Sequence, residues 1–149
     1  MENDIEKEKV YLGGIAIIYT KENNEIKFLV AENSVTKNIS FVSGAKEDTD
    51  NSVSDAMYRE LQEELGSSDD IKLEPTNVKH DFVFGPKKKE RAGYNGSYSV
   101  FLADVTGNSS NISHTAELSN MKWLTKEEVL KNLTFDDVKE VFLKATQNL

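Results

Sequence analysis

Asn51-Ser52-Val53-Ser54-Asp55-Ala56-Met57-Tyr58-Arg59-Glu60-Leu61-Gln62-Glu63-Glu64-Leu65-Gly66 is the stretch on which the reading of this chain turns. Set at about 100° per residue, Val53, Ala56, Met57, Leu61 and Leu65 form one apolar arc, the pattern of a helix laid on a core. Ser52, followed by Asp55, resembles a capping box with Asp standing in for Glu. Gly66 supplies the C-terminal stop. Glu60 and Glu64 fall inside the apolar arc and Glu63 at its edge, while Asp55, Tyr58, Arg59 and Gln62 take the other side. Carboxylates at these spacings repel one another and crowd the helix end whose dipole disfavours anions, each effect costing about 0.3–1 kcal/mol at an exposed site. Two readings stay open: an acidic solvated face, or a set of hard oxygen ligands for Mg²⁺ or Mn²⁺.

Working outward, Val10 to Thr20 reads as a buried strand, with Gly13-Gly14 marking a bulge or a close backbone approach. Asn23-Asn24 lies in a turn, and Ile26 to Ala31 completes a hairpin. Ile39 to Val42 is a short strand running into Ser43-Gly44-Ala45. Beyond the helix, strands are expected at Val78 to Phe84, Ser97 to Val105 and Met121 to Leu124. Two helices close the chain. Thr125 with Glu128 caps the first, Thr134 with Asp137 resembles a cap for the second, and Val138, Val141, Phe142 and Ala145 share one face of it. The pattern is an α+β chain, a mixed sheet with helices packed on it.

The chain has 149 residues, a formal net charge of −8 and no Cys. That length supports one domain with a core. The charge argues against a general duplex-binding protein, and the missing thiols remove a disulfide framework, a thiolate metal site and a Cys nucleophile. Residues 1–9 are polar and charged, without a signal-peptide apolar core, so a flexible N-terminus and a cytoplasmic protein are expected. No apolar run approaches a spanning helix.

Ala45 to Ser67 resembles the signature of the Nudix hydrolases: Gly, five residues, Glu, seven residues, then Arg-Glu-apolar-x-Glu-Glu-x-Gly-apolar. Arg59-Glu60-Leu61-Gln62-Glu63-Glu64-Leu65-Gly66 matches its second half at every fixed position up to the last, where Ser67 replaces the apolar residue, and counting back puts Ala45 on the first Gly and Asn51 on the first Glu. The resemblance implies an α-β-α sandwich around a central mixed β-sheet, a single domain over residues 1–149. It also implies hydrolysis of a nucleoside diphosphate linked to another group, with Mg²⁺ or Mn²⁺. Carried over by position, Glu60, Glu63 and Glu64 would be metal ligands, the carbonyl of Ala45 a further ligand, and Arg59 would orient a carboxylate. One carboxylate would accept the proton of the attacking water. Asn51 departs from the pattern: it supplies no charge where the family's Glu helps hold the Arg, which leaves the metal count and a weakened site open.

Substrate features are fewer. Lys87-Lys88-Lys89-Glu90-Arg91 is basic in an acidic chain, either a grip on a polyphosphate or a solvated loop. Tyr94, Tyr98, Phe82 and Phe84 could stack a base or belong to the core. His80 and His114 read as structural or surface residues. Ser113-His114, Glu117, Met121-Lys122-Trp123-Leu124 and Glu127-Glu128 are similar to the tail of asymmetrical diadenosine tetraphosphate hydrolases, which would make Glu117 an extra ligand or base. The first-choice substrate is therefore a diadenosine polyphosphate, gripped by Lys87, Lys88, Lys89, Arg91 and Tyr94. A nucleoside triphosphate is next, and an RNA 5′ end is not favoured. The competing class is a nucleotide-binding module without turnover.

Overall fold

The computed structural model describes residues 9–66, 71–86, 90–109, 112 and 120–149. Lys87, Lys88, Lys89, His114 and Glu117 lie outside the described residues. Seven strands, β1 (Val10–Glu22), β2 (Glu25–Glu32), β3 (Ile39–Ser40), β4 (Val42–Ala45), β5 (Glu74–Val83), β6 (Asn95–Asp104) and β7 (Met121–Thr125), form one sheet. Among the described residues, three helices pack on it: α1 (Val53–Leu65), α2 (Lys126–Asn132) and α3 (Asp136–Thr146).

The sheet is mixed, as expected. β1 runs parallel to β6 and antiparallel to β2, which it meets across a hairpin. At that hairpin Asn23 and Asn24 both take positive φ, the backbone that a two-residue turn matching the strand twist requires. The other half of β1 pairs with β4, Gly13 opposite Ala45 and Gly14 opposite Gly44. β7 and β3 both add to β2.

Alternation along β1 sends its side chains to two cores. Ile15, Ile17 and Tyr19 face one, built with Phe28, Phe41, Tyr98 and Val100 and closed by Val129, Val138, Val141 and Phe142 of α2 and α3. Ala16 and Ile18 face the other, closed by Met57, Leu61 and Leu65 of α1. These are the helix layers of the α-β-α sandwich. Gly13 and Gly14 mark a close approach and not a bulge, since β1 keeps unbroken register with β6. A Cβ on Gly14 would lie 2.5 Å from Met57 Cγ, so this glycine lets α1 settle on the sheet.

Several local expectations change. The strand expected over Ile39 to Val42 breaks at Phe41, whose ring enters the first core and stacks on Phe142, while Val42 enters the second. β5 starts earlier than expected, at Glu74, with an irregular register between Pro75 and Lys79 that hid its period. Thr134 does not cap α3. Phe135 takes that place without a side-chain hydrogen bond, and Thr134 Oγ1 accepts from the Ile39 amide at 2.7 Å, pinning β3. The stop at Gly66 and the capping box of Thr125 with Glu128 form as read, while at Ser52 the cap is the single bond its side chain accepts from the Asp55 amide. Tyr58, expected on the polar side of α1, turns inward, and its hydroxyl accepts from the Leu73 amide at 2.9 Å.

Candidate functional site

The site lies where β4 ends, the 46–52 connection turns, and the C-terminal half of α1 lies over both. Arg59 joins these pieces. Its Nε and Nη2 donate to the two carboxylate oxygens of Asp50 at 3.1 and 3.0 Å, a two-pronged charged pair. Nη2 also donates to the carbonyl of Ala45 at 3.3 Å. Nη1 donates to Glu60 Oε1 at 3.2 Å and Glu63 Oε1 at 3.4 Å, with Glu47 a looser partner at 3.7 Å.

The acid that holds Arg59 is thus Asp50, one residue before the position to which the signature spacing points. Asn51 is exposed. Asp50 is 8% exposed at its side chain and also accepts from the Glu47 amide at 2.8 Å, closing the 47–50 turn. The Arg59 hydrogen bond holds its carboxyl below the usual value, and Asp50 in turn holds the Arg59 proton more tightly. The worry that Asn51 leaves Arg59 without an acidic partner is therefore removed. Gly44, separated from Asp50 by five residues, was missed together with it. The two form a second copy of the Gly-to-acid spacing, displaced by one residue, and that was the available signal.

Gly44 has a steric reason to be glycine. A Cβ there would lie 2.4 Å from Glu60 Cγ and 2.6 Å from Glu60 Oε1. The missing side chain is what lets Glu60 lie against β4, where its side chain is only 19% exposed. Burial pushes the Glu60 carboxyl above its usual value and Glu63 adds to this, with Arg59 opposing both. Gly44→Ala should displace that flexible side chain and leave the fold. The expected result is a kcat about 10- to 100-fold lower with an unchanged melting curve, the scale of a misplacement of about 1 Å. Unchanged kcat would show that the seat of Glu60 is unimportant.

Glu63 and Glu64 are exposed, and Glu64 borders a cleft of about 260 Å³ lined also by Asn33, Asn38, Ser43 and Met121. The structure thus brings Ala45, Arg59, Glu60 and Glu63 into one hydrogen-bonded group. Among the described residues, no cluster of three or more acidic or imidazole side chains is positioned to hold an ion as it stands, because Glu60 and Glu63 are turned onto Arg59. The donor chemistry still suits a hard divalent cation, with carboxylate and carbonyl oxygens on neighbouring elements.

The remaining candidates divide. Phe84 and Tyr98 are buried, and Phe82 packs on the first core, covering Gly96, so this set of aromatics is mainly core. Tyr94 packs edge-on against Tyr11 at 5.6 Å. Arg91 does not extend freely: its guanidinium sits 5.2 Å over the Tyr11 ring and 5.7 Å over Phe84. His80 is structural as read, paired with Asp137 of α3 at 2.7 Å and stacked on Phe82. Trp123 packs against the second core.

The NUDIX domain family model matches residues 11–145. A NUDIX hydrolase structure from Listeria monocytogenes aligns with a TM-score of 0.71 at 18% identity, covering 94% of each chain. The Ap4A hydrolase of C. elegans aligns at 0.67 and 19%, covering 92% of this chain and 95% of that one. The E. coli dihydroneopterin triphosphate pyrophosphohydrolase aligns at 0.67 and 14%, covering 94% and 96%. At these identities the likeness establishes the fold. No curated protein matches the chain.

Proposed function

The chain belongs to the NUDIX domain family, and on that basis we propose that it is a single-domain, divalent-metal-dependent hydrolase. It cleaves a phosphoanhydride bond in a nucleoside diphosphate-linked substrate, with a diadenosine polyphosphate as first choice and a cytoplasmic nucleotide pool as its setting. The observation that carries this reading is the Arg59 hub, which gathers Glu60, Glu63 and the Ala45 carbonyl at one place. Membership in this family supports an enzyme acting on acid anhydrides.

Glu60, Glu63, Glu64 and the Ala45 carbonyl would hold Mg²⁺ or Mn²⁺. The chemistry such an ion supplies when bound is neutralisation of phosphate oxygens and a more acidic water. Arg59, fixed by Asp50, orients the Glu60 and Glu63 carboxylates. One carboxylate of the α1 set accepts the proton of the attacking water. Glu117 remains a proposed extra metal ligand or base, and Lys87, Lys88, Lys89, Arg91 and Tyr94 remain the proposed substrate-binding groups. A nucleoside triphosphate is the second reading; a relative of the same fold, named a dihydroneopterin triphosphate pyrophosphohydrolase, supports it only in sharing the triphosphate.

The test is product analysis with diadenosine tetraphosphate, nucleoside triphosphates, ADP-ribose and a 5′-triphosphate RNA, each with Mg²⁺ and Mn²⁺, beside a Glu64→Gln control. Cleavage of the dinucleotide that the control loses is expected. Cleavage of triphosphates alone would select the second reading, and no cleavage of any would favour a binding module. Mg²⁺ or Mn²⁺ should also raise the melting temperature, by linkage worth about 2.7 kcal/mol at a hundredfold excess over Kd. The same titration on Glu60→Gln should show a smaller shift, and an equal shift would remove Glu60 from the ligand set.

A further inference from the structure

We propose that the cleft between the start of β1 and the turn after β4 binds the phosphates of the substrate that are not cleaved. The proposal rests on the phosphoanhydride-hydrolase reading and narrows its substrate class to chains of three or more phosphates. The cleft is about 500 Å³ and is lined by Lys9, Tyr11, Lys46, Thr49 and Arg91, with Glu47 and Asp48 on the same wall. It begins directly after Ala45, whose carbonyl faces Arg59. Glu47 lines it and lies 3.7 Å from Arg59 Nη1, so the cleft adjoins the group that Arg59 gathers on α1.

Tyr11 is the post on which the cleft is built. Phe84 and Tyr94 hold its ring edge-on at 5.7 and 5.6 Å. Lys9 Nζ lies 4.9 Å from the ring centroid and the Arg91 guanidinium 5.2 Å from it. Attraction between a cation and an aromatic face thus sets two positive groups in place before any ligand arrives. Lys46 adds a third, and its Nζ lies 3.4 Å from the Glu47 carbonyl. Of the two acids on that wall, Glu47 is turned toward Arg59. Three cations against two acids leave this wall positive in a chain of net charge −8. The Tyr11 face is already used by cations, so the cleft suits an anion better than a stacked base. A guanidinium beside two ammonium groups matches adjacent phosphates, which take paired donors.

The experiment is calorimetric titration of inorganic tripolyphosphate into the protein in EDTA, which needs neither metal nor turnover. Wild type should bind, and Lys46→Ala with Arg91→Ala should weaken binding about tenfold or more, as the loss of charge-assisted hydrogen bonds requires. Tyr11→Phe should keep the affinity and Tyr11→Ala should lower it, because only the ring positions the cations. No binding by wild type, or equal affinity in a folded double variant, would overturn the proposal. Tripolyphosphate binding without hydrolysis of any nucleotide would leave the cleft standing and remove the hydrolase reading. Glu64-dependent hydrolysis with KM unchanged in the double variant would do the reverse.

Discussion

Replacing Glu60, Glu63 or Glu64 singly by Gln should lower kcat by about a thousandfold, within the range general-base and metal-ligand groups command. The metal-free protein should melt no lower than wild type. Each carboxylate stands in the last two turns of α1, and no basic residue in the last turn offsets the dipole; Arg59, one turn earlier, only partly offsets the charge of Glu60 and Glu63. Glu60 is also partly desolvated against Gly44, and burial raises its pKa. The sign follows. A carboxyl whose folded value is raised favours folding most at low pH, and that contribution is lost as pH rises through the raised value. At neutral pH the Glu60 charge therefore opposes folding, and Glu60→Gln removes this cost while keeping the shape. Full activity in any of the three variants would exclude that residue from the chemistry. A lower melting temperature in the absence of metal would give the carboxylate a structural role instead.

Asp50→Ala should lower kcat by about a hundredfold, because Arg59 loses its two-pronged anchor and the carboxylates it orients lose theirs. Asn51→Ala should leave kcat within about twofold, as expected of an exposed side chain away from such features. The pair of variants discriminates, since the signature spacing assigns the role to position 51 and the hydrogen bonds assign it to position 50. Arg59→Lys should fail like Asp50→Ala, since an ammonium cannot reproduce the fork. The pH dependence has the opposite sign to that of Glu60. Asp50 is held below its ordinary value of 3.8. Its contribution is complete above that value and is lost only as pH falls through the lowered one. Urea midpoints of wild type and Asp50→Asn between pH 7 and pH 2.5 would show this as a gap that closes in acid. A gap of constant size would mean that Asp50 acts through shape and not charge.

Local signals carried most of the fold. The period of α1, its Ser52 and Gly66 caps and the strand-like runs of β1 and β2 depend on neighbours in the chain. Each was legible because hydrophobic periodicity and capping are short-range physics. The early start of β5 was not, because the irregular register near Pro75 breaks the alternation that marks a strand. The Thr134 hydroxyl was misassigned because its partner, the Ile39 amide, is remote in sequence.

The candidate site divides in the same way. The acidic face of α1 was determined by sequence alone, since helical geometry dictates which side chains share a side. The choice of Asp50 over Asn51, the seat of Glu60 on Gly44 and the cations gathered on Tyr11 were decided only by tertiary structure. Counting residues locates a position along the chain. In a turn, the backbone dihedrals and the strands and helix packed around it decide which of two adjacent side chains points inward.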